Sequence, residues 1–356
     1  MNQLIIALMI TLVVLSSAAR GAVFCANDTA ELQQSLATAA ANGEDDEIRI
    51  RRGSYFVPVG GFQYDSSESF DLEISGGWGG QLNSCNFNEG THPFQTTLDG
   101  GSSERVLYVQ PGLDGRVTVS NLLFANGTKS FGAGLAIARD TGVYEGDVLV
   151  ERTVFVGNTA LGPSGGALGI SAGDQVRVRN NLFTANDGLH AVSLINTDSS
   201  EVYFTNNTVV GNTNVTGDAG VRISYVFRPP RLLANNILWG NDGMDLSFPD
   251  PLGTLFLLNN NIEEANIDVG ALGTGNVSVD PQFEGGVMNY DLAAASPLKN
   301  AGVEPPTITS IPTPFEDNWS VGLLDLAGAD RIRGTAIDIG AYEAKPELVF
   351  SNGFEN

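Results

Sequence analysis

The 356-residue sequence is poor in basic residues, and just three of its 18 cationic side chains are lysines. Against them stand 41 acidic residues, which give a formal net charge of -23 at pH 7. Proteins that bind nucleic acids or anionic membrane surfaces need a basic patch to neutralise phosphate groups. The charge balance therefore excludes both classes of partner.

Cysteine and histidine are also scarce, with Cys25, Cys85, His92 and His190 as the complete set. These four residues are too far apart in sequence to suggest a ligand cluster, so we predict no metal site built from them. In an exported chain, two cysteines are expected to form a disulfide. A pair of free or buried thiols is the alternative.

Long apolar runs are missing except for one, from Leu4 to Leu15. It is followed by the small residues of positions 16–19, as in a secretory signal peptide before its cleavage site. The run is shorter than the roughly 20 residues that a membrane-spanning helix needs. We predict that residues 1–22 are a signal peptide, that the mature chain has no transmembrane segment, and that the protein is secreted or at the cell surface. An uncleaved anchor is the alternative.

From residue 117 onward one pattern recurs, in which two apolar residues alternate with variable ones and an asparagine follows. An aliphatic or aromatic residue comes three positions later, and usually a second asparagine soon after. Six copies start at residues 117, 148, 176, 202, 231 and 255, with a spacing typical of solenoids. Alternation with a period of two favours strands over helices. Each copy therefore predicts one coil of a β-solenoid.

Stacking of these coils at about 4.8 Å would place equivalent residues above one another. We predict that the asparagine after each first strand points inward and bonds its neighbours, because an unpaired buried amide costs about 1 to 3 kcal/mol. The members of this ladder are Asn121, Asn180, Asn206, Asn235 and Asn259. Arg152 replaces the asparagine in the second copy, where we expect an opened turn. Glu151 and Arg179 fall on adjacent coils and should form an ion pair.

The Val-x-Val-x-Asn-x-x-Phe-x-x-Asn coils resemble the bacterial secreted proteins of the pectin-lyase-like superfamily, over residues 45–285. The resemblance implies a mainly β protein that folds as a right-handed parallel β-helix. It does not imply one activity, because the superfamily includes lyases, hydrolases, adhesins and proteins with no known reaction.

Both ends of such a solenoid need protection, because open strand edges favour aggregation. Asp28 and Glu31 form a capping-box pattern that predicts a short N-terminal helix, with Leu32 and Leu36 on one face. We divide the mature chain into an N-terminal cap with the first coils, the β-helix repeats, a C-terminal capping segment and a tail, at residues 23–104, 105–284, 285–346 and 347–356.

The sequence from Asp325 to Glu343 resembles the terminal region of choice-of-anchor proteins. The tail resembles a short sequence on exported gammaproteobacterial proteins that is interpreted as a sorting tag, with an ordinary terminal strand as the alternative. Because Leu149, Leu232 and Phe256 make part of one outer strand face apolar, we expect the C-terminal segment to cover some of that face.

A second strand in most coils carries small outward residues at Ala136, Gly169 and Ser193, which would let a sugar chain approach the backbone. We therefore expect any polysaccharide to bind this face. The candidate catalytic residues there and in the flanking turns are Asp187, His190, Asp198 and Arg222, with Asp242 as a further carboxylate. Paired carboxylates suit inverting glycoside hydrolysis, and His190 could serve as an acid or base or be a structural turn residue.

Motifs for a known reaction are mostly missing. Asn196, Thr197 and Asp198 match one polygalacturonase motif, but Gly-His-Gly is absent and the Asp-Asp pair at residues 45–46 precedes the match. By resemblance to pectate lyases, an arginine on this fold could act as a base beside aspartate-bound Ca²⁺. A strongly anionic protein, however, would repel anionic pectate.

We therefore favour a non-catalytic secreted or cell-surface protein that recognises a neutral glycan or another surface component. One alternative is a polysaccharide lyase or glycoside hydrolase, and another is a self-associating adhesin module. No cofactor is expected. Ca²⁺ is suggested by the acidic charge alone, since the sequence has no EF-hand loop.

Overall fold

The structure is a computed structural model of the 356-residue chain. It describes residues 21–81, 84–88, 92–139, 144–162, 165–171, 173–196, 201–214, 218–225, 230–249, 254–268, 270–305 and 319–345. The first 20 residues of the predicted signal peptide and the predicted tail lie outside these ranges.

The described chain forms a right-handed parallel β-helix, in which each complete coil passes through three sheets that we call A, B and C. Sheet A has 11 strands, of which one, Phe87–Asn88, pairs in an antiparallel manner with its neighbour Leu72–Gly79. The other strands of sheet A are Ala22–Ala26, Asp46–Arg51, Val117–Ser120, Val148–Glu151, Gln175–Arg179, Glu201–Thr205, Pro230–Ala234, Thr254–Leu258 and Leu272–Thr274.

Sheets B and C have eight strands each, and a short three-stranded sheet D lies between them along the chain. Sheet B contains Gly53–Phe56, Thr96–Asp99, Leu123–Ala125, Val154–Val156, Leu182–Thr184, Thr208–Val210, Ile237–Trp239 and Asn261–Ile262. Sheet C contains Phe62–Asp65, Leu107–Gln110, Leu135–Ala138, Leu168–Ser171, Val192–Asn196, Val221–Tyr225, Leu246–Phe248 and Ala265–Ile267. Sheet D contains Thr128–Lys129, Thr159–Ala160 and Asp187–Gly188.

The strands of sheet A stack in the register that the six sequence copies predict. Val117 pairs with Val148, Val148 with Val176, and the same column continues through the later copies. Inward residues form the core, where the rings of Phe124, Phe155 and Phe183 stack with centroids 5.0 and 4.8 Å apart. The predicted fold is therefore confirmed, including its vertical columns.

An asparagine ladder is present, but it runs one residue later than predicted. Each side-chain amide donates to the amide oxygen of the next coil at 2.8–3.1 Å. Each of these oxygens also accepts the backbone N–H of the asparagine below it. The members are Asn181, Asn207, Asn236, Asn260 and Asn276, with Thr153 preceding them. A second ladder joins Asn158, Asn186, Asn212 and Asn241.

The inward placement predicted for the other asparagines is wrong. They adopt positive φ angles of 48–58°, in the left-handed region that asparagine tolerates better than most residues. Four of them donate to backbone carbonyls of the C-terminal segment, and one amide-to-amide bond joins Asn235 to Asn206 at 3.4 Å. These turn residues are Asn121, Asn180, Asn206, Asn235 and Asn259. The left-handed turn directs the following residue, and not the turn residue, into the ladder.

Arg152 does not open its turn, contrary to the prediction. Its φ of 48° matches that of the asparagines, and its Nε donates to Asn121 Oδ1 at 3.0 Å. Its guanidinium also lies 3.1 Å from Glu151. This hydrogen bond and ion pair stabilise Arg152 in the left-handed turn that asparagine adopts in the other coils.

The N-terminal end is closed by the helix Thr29–Ala39, as the capping pattern predicts. The Asp28 carboxylate accepts the N–H of Glu31 at 2.9 Å, while Leu32 and Leu36 are buried against the first coils. The predicted disulfide between Cys25 and Cys85 is confirmed. It links the first strand of sheet A to the segment that follows the strand Leu72–Gly79.

The C-terminal segment lies along the outside of the coils. Trp319, Val321 and Ile337 pack on sheet A, while Leu326 and Tyr342 pack on sheet B. The expected cover over an apolar face is therefore confirmed. Within residues 21–345, and outside the gaps given above, no helix is long and apolar enough to cross a membrane.

A buried ion pair holds the C-terminal segment together. Arg331 lies 3.2 Å from Glu343 and donates to the carbonyls of Asp338 and Gly340. Burial raises the pKa of Glu343 to about 7, even though Arg331 acts in the opposite direction. The cost of removing both charges from water is offset in part by these hydrogen bonds.

Candidate functional site

The small-residue face of sheet C is not available to a ligand, so this prediction is wrong. Ala136, Gly169 and Ser193 are all buried. A side-chain carbon added at Gly169 would lie 2.7 Å from the ring of Phe131, because the chain between sheets D and C folds over the strands. The small side chains make room for the protein's own backbone and aromatic ring.

The candidate catalytic residues occupy different environments. Asp187 is exposed in sheet D, Arg222 is half-buried in sheet C, and Asp242 is an exposed loop residue that accepts the N–H of Asn214. Asp198 and its motif neighbour Thr197 lie outside the described residues, and Asn196 is the last residue of the strand Val192–Asn196.

His190 is 2% exposed, and its Nδ1 lies 2.7 Å from the carbonyl of Asp218. Burial, with a further contribution from Arg222, lowers the pKa of His190 to about 4. Its burial favours the structural alternative, and a catalytic role for any of these residues stays a prediction.

The outer side of sheet A divides into two parts. The covered face consists of Tyr203, Leu232, Ala234, Phe256 and Leu258, which pack beneath the C-terminal segment. The open face precedes it along the stack and consists of Glu47, Arg49, Glu73, Trp78, Thr118, Leu149, Glu151, Arg177 and Arg179. Glu47, Glu73, Thr118, Leu149 and Arg177 occupy the same column that continues into Tyr203 and Leu232. This open face is our candidate binding site.

Ion pairs fix most charged groups of the open face. Arg49 forms a two-pronged pair with Glu47, with both N–O distances 2.6 Å. Glu151 accepts from Arg179 at 2.7 Å, which confirms the predicted pair. Partial desolvation raises the pKa of Glu73, and the nearby Glu47 and Glu151 carboxylates raise it further. The face thus presents guanidinium groups that are fixed in position by ion pairs with neighbouring carboxylates.

One aromatic side chain, that of Trp78, lies at the N-terminal end of the open face. The Arg49 guanidinium stacks 4.2 Å from the ring centroid of Trp78, and the Trp78 indole donates to Ser75. Phe87 is 57% exposed, and its strand pairs with the strand of Trp78. Arg49 also donates to the carbonyl of Cys85 at 3.2 Å. The disulfide-bonded segment therefore lies against the N-terminal end of the open face, with Asn88 opposite Trp78 and Phe87 opposite Gly79.

A cleft of about 290 Å³ borders this face at the start of the strands. Its walls include Asp46, Glu47, Glu73, Arg116 and Thr118. Asp46 is 5% exposed, and burial raises its pKa to about 6 despite a hydrogen bond from Asn42. Carboxylates, hydroxyl and guanidinium groups in one concave area suit a ligand that both donates and accepts hydrogen bonds.

The residues that the structure describes contain no group of three or more His, Cys, Asp or Glu side chains arranged to hold a metal ion. Ca²⁺ binding therefore stays a prediction drawn from charge and resemblance.

The columns that the sequence predicts begin at residue 117 and do not include Glu47, Arg49, Glu73 and Trp78, the N-terminal members of the open face. Their strands, Asp46–Arg51 and Leu72–Gly79, fall in the region predicted as N-terminal cap and first coils, at residues 23–104. The alternation of charged and apolar residues from Glu47 to Ile50 is the signal that could have extended the columns. The approach of Phe87 depends on the disulfide-bonded segment and has no repeat signal.

The chain is similar in structure to a known protein, but no similarity in sequence is found. No family model and no curated protein sequence matches the chain. Among solved structures, the chain is similar to the crystal structure of pectate lyase Pel9A, with 14% identity and a TM-score of 0.43. The similarity covers 87% of this chain and 90% of that chain. At these values it carries no functional argument.

Proposed function

We propose that this chain is a secreted or cell-surface β-helix protein that binds a neutral glycan on the open face of sheet A without cleaving it. One observation carries the proposal. The C-terminal segment covers one part of a continuous sheet face through apolar contacts, while among the described residues the same column elsewhere carries the polar side chains of Glu73, Thr118 and Arg177, which are exposed or half-buried.

The contacts available on the open face match the chemistry of sugars. Carboxylates accept hydrogen bonds from hydroxyl groups, guanidinium groups donate to them, and the half-buried Trp78 offers an aromatic ring. Because Arg49 and Arg179 are already held by Glu47 and Glu151, little side-chain freedom is lost on binding.

Charge argues for an uncharged ligand. The chain carries a formal net charge of -23, and acidic residues line the cleft beside the open face. A polyanion such as pectate would be repelled at long range, whereas a neutral glycan would not.

The raised pKa of Arg49 supports ligand binding without catalysis. An arginine that acts as a general base needs a pKa lowered towards neutrality. The hydrogen bond from Arg49 to Glu47 instead raises the pKa of Arg49, and the Glu73 carboxylate acts in the same direction. This arginine is therefore suited to holding a ligand oxygen rather than to removing a proton.

The test is a panel of neutral and acidic oligosaccharides, titrated calorimetrically against the chain without residues 1–22, with and without Ca²⁺. Product release is followed in the same samples. We expect binding of at least one neutral glycan and no product. Cleavage of any glycan, or the absence of binding to every neutral one, would contradict the proposal.

Two aromatic substitutions locate the site. Trp78→Ala should weaken binding by about tenfold, as expected for a lost ring contact of about 1.4 kcal/mol. Phe56→Ala is the matched control, because Phe56 is 66% exposed but belongs to sheet B. Equal effects of the two substitutions would show that the ligand does not use the open face.

A second candidate function is self-association through the last coil. Leu272, Val277 and Val279 are exposed there, and the strand Leu272–Thr274 is the last in the strand order of sheet A. Such an edge can pair with another copy. Sedimentation of the wild type and of Leu272→Lys tests this, and a monomer at all concentrations would contradict it.

A further inference from the structure

A cavity of about 480 Å³ lies between three distant parts of the chain, well away from the open face of sheet A. It is bordered by an N-terminal loop that contains the short 3-10 helix Pro93–Gln95, by the start of the C-terminal segment and by the end of the described chain. Its walls include Phe94, Val287, Met288, Asp291, Tyr342 and Lys345.

The walls are largely apolar and partly exposed. Phe94 and Met288 pack against the apolar cluster on the outside of sheet B, to which Tyr342 also belongs. Val287 at the cavity is 97% exposed. At the rim, Lys345 Nζ lies 3.0 Å from Asp291 Oδ2. An apolar occupant would therefore cover hydrophobic side chains that now face water.

The sequence supplies such an occupant next to the cavity. Lys345 is both a wall residue and the last residue that the structure describes. Pro346 follows, which favours an extended backbone at the residue before it. Leu348, Val349 and Phe350 come next and form the longest apolar run of the tail. At about 3.3 Å per extended residue, Phe350 can reach roughly 17 Å from Lys345.

We propose that the segment Leu348–Phe350 binds back into this cavity of its own chain. The occupant connects the C-terminal segment to the loop that carries Phe94, on the N-terminal side of the repeats. Because the segment is tethered through Lys345, its effective concentration at the cavity is on the order of millimolar, and modest contacts suffice. A receptor that recognises the tail would have to compete with this contact.

Engineered cysteines test the contact directly. The sequence has two cysteines, both in the disulfide, so a new pair reacts without interference. Val287→Cys combined with Phe350→Cys should form an intramolecular disulfide under mild oxidation. The matched control combines Val287→Cys with Asn356→Cys, which shares the tether but lies beyond the apolar run. We expect the first pair to react at least about tenfold faster, since docking adds to the effect of tethering.

Equal rates for the two pairs would overturn the proposal, because they would indicate a tail that samples the cavity at random. Cross-linked dimers without the intramolecular product would also overturn it, since the segment would then occupy a second copy.

A peptide experiment provides an independent readout. A synthetic peptide of residues 346–356 should bind the chain that ends at Lys345, and should bind the full chain at least about tenfold more weakly, because there the tethered segment competes. The same peptide with Phe350→Ser should lose binding to the shortened chain. Equal binding to both chains, or no binding to the shortened one, would contradict docking of the tail.

Discussion

The open and covered faces of sheet A have the same backbone and different side chains. One column contains Glu73, Thr118, Leu149 and Arg177, followed by Tyr203 and Leu232, on successive strands and without a change in register. The coil pattern alone therefore does not decide what the outer face does. The outward residues decide it, because apolar ones attract the C-terminal segment and charged ones leave the sheet open.

The two faces meet at the strand Gln175–Arg179. On one side, Arg179 pairs with Glu151 at 2.7 Å. On the other, Asn180 donates to the carbonyl of Val321 at 2.8 Å, and Thr205 donates to that of Ser320 at 3.3 Å. The C-terminal segment thus begins to cover sheet A where turn residues can donate hydrogen bonds to its backbone carbonyls. This point comes immediately after the last charged pair of the open face.

The largest expected effect contrasts two leucines in the same column. Leu232→Ala should lower the free energy of unfolding by about 2 to 5 kcal/mol, because Leu232 is fully buried under the cover. Leu149→Ala should cost about 1 kcal/mol or less, because Leu149 is half-buried on the open face. Urea unfolding measures both values. Similar losses would show that the cover does not stabilise its face.

A second pair of substitutions compares the stability contributed by the asparagine ladder inside the coils with that contributed by contacts to the C-terminal segment. Asn207→Gly removes a ladder member and leaves its partners unpaired, which should cost about 3 kcal/mol. Asn206→Gly keeps a residue suited to the φ of 53° and loses two long hydrogen bonds of 3.4 Å, one to Asp338 and one from Asn235, so it should cost about 1 kcal/mol or less. The measurement is thermal unfolding. A larger loss at Asn206 would restore the ladder that the sequence pattern predicts.

A smaller effect depends on pH and concerns the cleft beside the open face. The pKa of Asp46 is raised from 3.8 to about 6, so the folded chain holds this proton more tightly than the unfolded chain. The contribution of Asp46 to stability is therefore most favourable at acidic pH and is lost as the pH rises from about 4 to 6. Asp46→Asn should lack this decline and be more stable than the wild type at pH 7, by about 2 kcal/mol.

The control for that experiment is Asp114→Asn, since Asp114 is exposed and is not among the groups that shift the pKa of Asp46. Unfolding curves recorded from pH 4 to pH 8 give the comparison. If Asp46→Asn and the wild type differ by a constant amount over this range, the raised pKa is not a property of the folded chain.

The sequence predicts the fold well because the same strand pattern recurs in each coil. Period-two alternation and the recurrent asparagines are local signals, and they fix the strands, the register and the Glu151–Arg179 pair. The one-residue error in the ladder arises because sequence spacing does not reveal the sign of φ. Asn206 and Asn207 are adjacent identical residues, and the left-handed turn alone decides which of them points inward.

The candidate site is harder to predict because it depends on contacts between distant segments. The alternation of Leu135 to Ile137 identifies a strand with small outward residues, but nothing local shows that the chain around Phe131 folds over it. Likewise, Phe87 reaches sheet A because of the disulfide at Cys85. Such contacts are properties of the tertiary fold and leave no periodic signal.

The most direct test of the open face is hydrogen exchange of the chain with and without a saturating neutral oligosaccharide, analysed by mass spectrometry. We predict slower exchange in peptides that cover residues 46–51, 72–79 and 87–88, and unchanged exchange in residues 201–205 and 230–234 beneath the cover. Protection confined to sheet C, or to the covered strands, would contradict the assignment of the open face as the glycan-binding surface.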